Sequence, residues 1–281
     1  MTVDVVLAAG ARLGEGPVWD ARTGRLRWVD IPRGRVHRFD PVTGADEFFE
    51  VGEDVGTVAV RRDGGLVLAT RTGLVTCADD GSDRTVRHSL SVDPVGRGND
   101  GKADPWGRFW AGTMVEGSGT GAALYRLDPD GALSTMVTGV ACSNGLGWSL
   151  DGRTMYYIDT PTHGVDAFDH DPATGAISGR RRLITVDRGF PDGMTVDADG
   201  CLWVALWDGW GLQRFSPGGE LLSTVEVPAQ RVTSCAFGGP DLSTLYITSA
   251  RAGLDSPSEH AGSVFALDPG VTGLPAGEWA G

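Results

Sequence analysis

Six segments with one shared pattern recur along the chain of 281 residues, each a polar or small residue followed by a short apolar strand. Their first residues are spaced 41, 43, 45, 48 and 42 positions apart. In order, these residues are Glu15, Gly56, Asn99, Asn144, Asp192 and Ser234. Repeats of this length indicate an array of equivalent structural units, and such an array constrains the fold more than any single motif does.

Each unit continues with further apolar runs that are rich in aromatic and β-branched residues. Turns containing glycine separate these runs, as where Ala21–Gly24 precedes Leu26–Val29. This pattern is typical of strands joined by hairpins, and no long window has the apolar spacing of a helix. Units of four strands predict an all-β fold, a six-bladed β-propeller with four-stranded blades around a central channel. We expect residues 1–281 to form a single propeller domain, whose last blade is completed by a strand within residues 2–8.

The composition argues against several classes of partner. The chain has 24 basic and 37 acidic residues, a net charge of −13, whereas binding to nucleic acid or an anionic membrane needs clustered positive charge. No stretch approaches the ~20 apolar residues that span a bilayer, and Asp4 interrupts the apolar start of the chain. The four cysteines include no Cys-x-x-Cys pair, which predicts reduced thiols in a cytoplasmic protein. The sequence does not predict an oligomeric state.

Equivalent positions of a closed propeller converge at one mouth of the channel, which brings Glu15, Asn144 and Asp192 together. Two carboxylates and one amide oxygen suit a hard divalent cation such as Ca²⁺, Mg²⁺ or Mn²⁺, and they also admit Zn²⁺ or Fe²⁺. Three protein ligands with open coordination positions are typical of a catalytic metal. Asn-Gly and Asp-Gly are also common turn dipeptides, so each residue taken singly has that simpler explanation. The shared register favours a site, with Asn99 as a fourth ligand or a substrate contact.

Other polar residues near Asn99 lead to further expectations. Arg97 should lie at the channel entrance, where a guanidinium can hold hydroxyl or carbonyl oxygens. Lys102 and Asp104 are expected to pair around the turn before Trp106. The serines lack a Gly-x-Ser-x-Gly elbow, so a hydrolase triad has no support.

Five segments resemble the regucalcin (senescence marker protein)/gluconolactonase family of six-bladed propellers. Together they span nearly the whole chain in family order, and the run from Asn99 to Met114 is the most specific. The segments are GEGPVWD at 14–20, RGNDGKADPWGRFWAGTM at 97–114, SNGLGWS at 143–149, PDGMTVD at 191–197 and TSCAFGG at 233–239. The resemblance implies hydrolysis of a sugar lactone with one divalent cation.

By this resemblance, Glu15, Asn144 and Asp192 match the family's metal ligands, and Arg97 and Asn99 match its substrate-binding positions. Some relatives have an acidic substrate contact soon after the Gly-Thr-Met stretch, and Glu116 is an approximate match to it.

The expected mechanism is hydrolysis of a five- or six-membered aldonolactone. The cation would polarise the lactone carbonyl, and Asp192 would activate water as a base. Three other functions remain open on the sequence alone. They are a metal-dependent propeller esterase or phosphotriesterase, a calcium-binding regulatory protein without turnover, and an interaction scaffold.

Overall fold

The computed structural model describes residues 2–92 and 95–281. Its strands form six antiparallel sheets of four strands each, and two short 3₁₀ turns, Ile31–Arg33 and Thr160–Thr162, are its helical elements in these residues. The strands in chain order are β1 (Asp4–Leu7), β2 (Gly14–Asp20), β3 (Arg25–Asp30), β4 (Arg35–Phe39), β5 (Asp46–Glu50), β6 (Val55–Val60), β7 (Leu66–Thr70), β8 (Gly73–Cys77), β9 (Thr85–Ser89), β10 (Gly96–Ala103), β11 (Phe109–Val115), β12 (Ala122–Leu127), β13 (Leu133–Val140), β14 (Ser143–Trp148), β15 (Thr154–Asp159), β16 (Gly164–His170), β17 (Ile177–Thr185), β18 (Phe190–Val196), β19 (Leu202–Trp207), β20 (Gly211–Phe215), β21 (Leu221–Glu226), β22 (Arg231–Gly238), β23 (Thr244–Ala250) and β24 (Val264–Leu267).

The predicted six-bladed β-propeller is confirmed. Blades one to five each take four consecutive strands, from β2–β5 to β18–β21, and the first strand of each blade is innermost. Blade six consists of β22, β23, β24 and β1, with β1 antiparallel to β24. The expected ring closure by the first strand is therefore also confirmed. None of the helices in the described ranges has the length and apolar character needed to cross a membrane.

The inner strands are buried on both faces because they contact neighbouring blades as well as their own. Apolar clusters lie between successive blades, such as Val29, Val36 and Val58 between blades one and two. Large side chains fill these spaces, including Trp28, Trp110 and Trp203, which are at most 1% exposed. The apolar alternation in the sequence thus reflects the packing of one blade on the next.

A segment that does not belong to the repeats crosses the far end of the channel. We call residues 271–281 the strap. At one end, Gly273 bonds through its N–H to the carbonyl of Leu242 in blade six (2.8 Å). At the other, the N–H of Trp279 bonds to the carbonyl of Val60 in blade two (2.9 Å), and its buried indole packs between blades two and three.

The strap closes a cavity of about 110 Å³ at this end of the channel. Strap residues Leu274–Gly277 form one wall, and apolar inner-strand residues such as Val58 and Val196 form the others. The strap residues Gly273 and Trp279 pair with Asp197 and Arg61, just past the ends of the inner strands β18 and β6, so the strap lies opposite the mouth where the inner strands begin.

Replacing Trp279 by Ala should destabilise the protein by about 3–5 kcal/mol, the usual cost of removing a large buried aromatic side chain. The indole is 1% exposed, and no nearby segment could refill its site between two blades. Urea denaturation would measure the effect. The matched control is Leu274→Ala, because Leu274 lies in the same strap but is 39% exposed and should cost less than about 1 kcal/mol. Equal effects of the two changes would contradict the role assigned to Trp279.

Candidate active site at the channel mouth

The polar column begins at a β-bulge in every inner strand. In β14, Ser143 pairs with Asp159 and Leu146 with Tyr157, so Asn144 and Gly145 together oppose one residue of β15. The other five inner strands have an extra residue at the corresponding place. A bulge interrupts the alternation of side chains and re-aims one of them, and bulges are frequent beside active sites. The bulges explain why polar residues recur at one register without disturbing the apolar packing of the blades.

The column residues are buried although they are polar. Glu15, Asn99, Asn144 and Asp192 are each between 4% and 6% exposed. Blade two has Gly56 at this register. A side chain there would meet the carbonyl oxygens of β10, because an added Cβ would lie 2.4 Å from that of Asn99. Glycine thus lets blade two approach the strand that carries Asn99.

A chain of hydrogen bonds links Arg97 to blade five. Arg97 Nη1 donates to Asn99 Oδ1 (2.7 Å), and Asn99 Nδ2 donates to Asn144 Oδ1 (3.0 Å). Asn144 Nδ2 donates to Thr160 Oγ1 (2.7 Å), whose hydroxyl donates to the carbonyl of Pro191 (2.8 Å). The Thr160 hydroxyl donates its one proton to the carbonyl of Pro191. The hydroxyl oxygen of Thr160 must therefore accept a hydrogen bond from the amide nitrogen of Asn144. The structure therefore brings Asn99 and Asn144 together and fixes which atom of Asn144 is the carbonyl oxygen.

The two carboxyl groups of the column strongly favour their neutral form. Burial, followed by the charge of Asp100, raises the pKa of Glu15 to about 8, although the N–H of Gly16 donates to it (2.9 Å). Burial, then the charges of Glu15 and Asp100, raises the pKa of Asp192 well above its ordinary value. Among residues 2–92 and 95–281, no donor lies within hydrogen-bond distance of the Asp192 carboxyl. Two buried acids of this kind would be ionised together only beside a cation.

The donor set fits one hard cation, provided that an amide takes part. Within the described ranges, no three His, Cys, Asp or Glu side chains form a group that could hold a metal ion by themselves. Glu15 and Asp192 would therefore need the oriented Oδ1 of Asn144 as the third ligand. Such a set of oxygen ligands is chemically suitable for Ca²⁺, Mg²⁺ or Mn²⁺.

Lys102 and Asp104 follow Asn99 in blade three, and their partners differ from those that the sequence indicated. The expected pair of Lys102 and Asp104 is wrong. Lys102 Nζ donates across the channel to the carbonyl of Met194 (2.7 Å), and its nearest negative charge is the buried Asp100. Asp104 instead accepts bonds from the N–H of Trp106 and the indole of Trp110 (2.9 Å each). Lys102 lies within β10 and reaches across the channel, whereas Asp104 follows the last residue of the strand and is bonded to the turn and to Trp110, so the two side chains have separate partners.

Glu116 lies at the rim of the mouth rather than inside it. It follows β11, its side chain is 40% exposed, and its carboxylate pairs with Arg71. The guanidinium of Arg97 is buried nearby, and Nη1 also donates to the carbonyl of Gly98 (2.9 Å). The assignment of Glu116 as a substrate contact stays a prediction. Arg71, Thr160 and Asp100 are site residues that the repeat did not reveal.

Comparisons with known proteins agree with this fold. Residues 13–251 match the model of the SMP-30/Gluconolactonase/LRE-like region. The chain is similar to pentonolactonase XacC of Haloferax volcanii, with 41% identity over 98% of this chain and 97% of the relative. It is similar to regucalcin of Oryctolagus cuniculus, with 40% identity over 99% and 98%.

Among solved structures, it is similar to a regucalcin of Agrobacterium tumefaciens described as a calcium-binding protein. The TM-score is 0.93 with 28% identity, over 98% of this chain and 96% of that one. The match of the family model across most of the chain, together with relatives at about 40% identity over nearly all of it, settles the predicted family. The chain belongs to the SMP-30/gluconolactonase family.

Proposed function

We propose that the protein hydrolyses a five- or six-membered aldonolactone to its aldonic acid, with one divalent cation held by Glu15, Asn144 and Asp192. The observation that carries this proposal is the pair of buried carboxyl groups beside an oriented amide oxygen, at equivalent positions of the inner strands. The similarity to a pentonolactonase over nearly the whole chain supports a sugar lactone as the substrate. The net charge of −13 favours a small uncharged substrate over a nucleic acid or an anionic membrane.

The cation, when bound, would supply Lewis-acid polarisation of the lactone carbonyl. The protein's own groups would position the substrate and move the proton. Asp192 is the proposed base, because its buried carboxyl accepts no hydrogen bond among the described residues and so keeps its oxygens free for the cation and for water. It would take a proton from the attacking water as the acyl C–O bond to that water forms. The ring C–O bond then breaks, and the proton passes to the ring oxygen.

Arg97 and Asn99 are the proposed substrate contacts. Among the hydrogen bonds of the described residues, Arg97 uses only Nη1, which leaves Nε and Nη2 to donate to substrate oxygens. Asn99 Oδ1 accepts from Arg97 and keeps a second lone pair for a substrate hydroxyl. These two side chains are fixed by their own hydrogen bonds before substrate arrives, which reduces the entropy lost on binding.

Purified protein should hydrolyse D-glucono-δ-lactone or a pentonolactone, lose at least about 100-fold of this activity on chelation, and regain it with a divalent cation. A panel of lactones against Ca²⁺, Mg²⁺, Mn²⁺, Zn²⁺ and Fe²⁺ measures this, with a phosphotriester and a simple ester as comparison substrates. Undiminished activity in chelated protein would exclude the proposed cation, and preference for the phosphotriester would exclude the proposed substrate class.

A calcium-binding role without turnover is the second candidate, favoured by the similarity to a regucalcin described as a calcium-binding protein. The same panel distinguishes the two functions. A protein that binds Ca²⁺ by calorimetry and hydrolyses no lactone with any of the five cations would support the second candidate.

A further inference from the structure

Three charged side chains join blades two and three across the rim of the mouth. Arg71 Nη2 donates to Asp54 Oδ2 (2.6 Å) and also to Glu116 Oε1. Asp54 immediately precedes β6, Arg71 follows β7, and Glu116 follows β11. We call these three residues the rim bridge. One guanidinium nitrogen therefore holds two carboxylates from different blades next to each other.

The rim bridge presents unused acceptors beside unused donors. In the described part of the chain, Asp54 Oδ1 and Glu116 Oε2 accept no hydrogen bond. Asp54 precedes the column position of its blade by two residues, as Arg97 precedes Asn99, so the two side chains face the same entrance. Arg97 is only 8% exposed, yet its Nε and Nη2 have no acceptor among the described residues. The two free nitrogens of this guanidinium are therefore available to donate to a ligand with oxygen atoms.

The bridge contributes little to stability, so its geometry needs another explanation. The side chains of Arg71, Asp54 and Glu116 are 36%, 21% and 40% exposed. Ion pairs with this exposure contribute little to stability, because water screens their charges. Glu116 begins a loop with Gly117 and Gly119 at positive φ, and Arg71 is the one described side chain that its carboxylate contacts. Without Arg71, the Glu116 side chain would be free to turn into solvent.

We propose that the rim bridge is the polyol-recognition element of the site, with Asp54 as a substrate contact that the family motifs do not identify. Asp54 and Glu116 accept hydrogen bonds from adjacent hydroxyls of the substrate. Arg97 donates hydrogen bonds to the oxygens of the same hydroxyls. Arg71 is a positioning residue that holds both carboxylates in place. This inference rests on the proposed aldonolactone substrate. It predicts that the site prefers polyhydroxylated lactones, because a lactone without hydroxyls cannot donate hydrogen bonds to the rim bridge.

The test compares D-glucono-δ-lactone with δ-valerolactone, which has the same ring and no hydroxyls. Arg71→Ala and Asp54→Ala should each raise KM for gluconolactone by about 10-fold or more, since each removes or misplaces a hydrogen bond to a charged group. The kcat for gluconolactone and both constants for δ-valerolactone should stay within about threefold. Arg71→Lys should recover part of the loss, because an ammonium keeps the charge but not the planar geometry of the guanidinium.

The matched control is Arg38→Ala, which breaks an exposed ion pair with Glu47 on the outer edge of blade one. It should change neither substrate's constants, and all variants should melt within a few degrees of the wild type. Equal losses on the two lactones, or an unchanged KM for gluconolactone, would overturn the inference.

Binding of the matching lactams, which resist hydrolysis, separates this inference from the proposed function. Calorimetry should show that the rim variants weaken binding of gluconolactam at least about 10-fold and leave that of δ-valerolactam unchanged. If the wild type hydrolyses no lactone but shows this pattern, the proposed function fails and the polyol site stands. If the variants bind gluconolactam as the wild type does, or the wild type binds neither lactam, the polyol site is wrong.

Discussion

The Asp192→Asn protein is expected to lose at least about 10³-fold of kcat/KM toward aldonolactones, because one change removes a charged metal ligand and the proposed base. Asparagine keeps the size of the side chain and one oxygen. It cannot carry the negative charge that offsets a divalent cation, and it cannot accept a proton from water. Asp192 is 5% exposed, and its carboxyl has no hydrogen-bond donor among the described residues. Steady-state kinetics at saturating cation measure the loss, and calorimetry should show weaker cation binding.

Ser234→Ala is the matched control for this change. Ser234 occupies the same register of blade six and is equally buried, but it offers no carboxylate. Its replacement should leave kcat/KM within about threefold of wild type, because it removes only a hydroxyl. The metal-free Asp192→Asn protein should be at least as stable as the wild type, since a buried acid with raised pKa has been replaced by a neutral amide. An Asp192→Asn protein within tenfold of wild-type activity would exclude this residue as the base.

The fold was predictable because every blade has the same requirements for burial and for turns. Each must bury strands on both faces and turn sharply between them, so apolar runs and glycine turns recur at one period. The register of the column was predictable for the same reason. The bulges at this register were not, since an extra residue is defined only against the partner strand, as where Asn144 and Gly145 oppose a single residue of β15.

The parts that the sequence did not predict are contacts between segments that do not repeat. Arg71 and Glu116 belong to different blades and are 45 positions apart, and Lys102 and Met194 are 92 positions apart. Arg71 and Glu116 lie just beyond their strands, where the loops differ from blade to blade, and the bond from Lys102 to Met194 crosses the channel between two inner strands. The strap lies outside the repeats, so no period indicated that it covers the channel. Glu116 was recognised by its approximate match to a family position, and its partner Arg71 could be found only once the blades were placed.

The stability of the metal-free protein should fall as pH rises from about 5 to about 8, and added cation should reverse this trend. The pKa of Glu15 is raised from 4.5 to about 8 in the folded state, so the folded protein holds more protons than the unfolded chain in that interval. The stabilisation that comes from the neutral Glu15 carboxyl is fully present below pH 4.5, the pKa of this group in the unfolded chain. It is lost as the pH approaches about 8, the pKa of this group in the folded protein. A cation binds the ionised carboxyls, so it should stabilise the protein more at pH 8 than at pH 5, with release of protons on binding.

The Glu15→Gln variant isolates the contribution of this one carboxyl, since glutamine resembles its neutral form at every pH. In chelator at pH 5, wild type and variant should have similar melting temperatures. At pH 8 the variant should have the larger free energy of unfolding, by an amount on the order of a few kcal/mol. In excess cation at pH 8 the order should reverse, because the variant has lost a charged ligand and gains less from binding. Thermal melts at four pH values measure the difference between the two proteins in chelator, and the same melts with cation measure whether their order reverses. A variant that is less stable than wild type at pH 8 in chelator would show that the buried Glu15 carboxyl does not destabilise the metal-free fold. A cation effect that is identical in the two proteins would show that Glu15 is not a ligand.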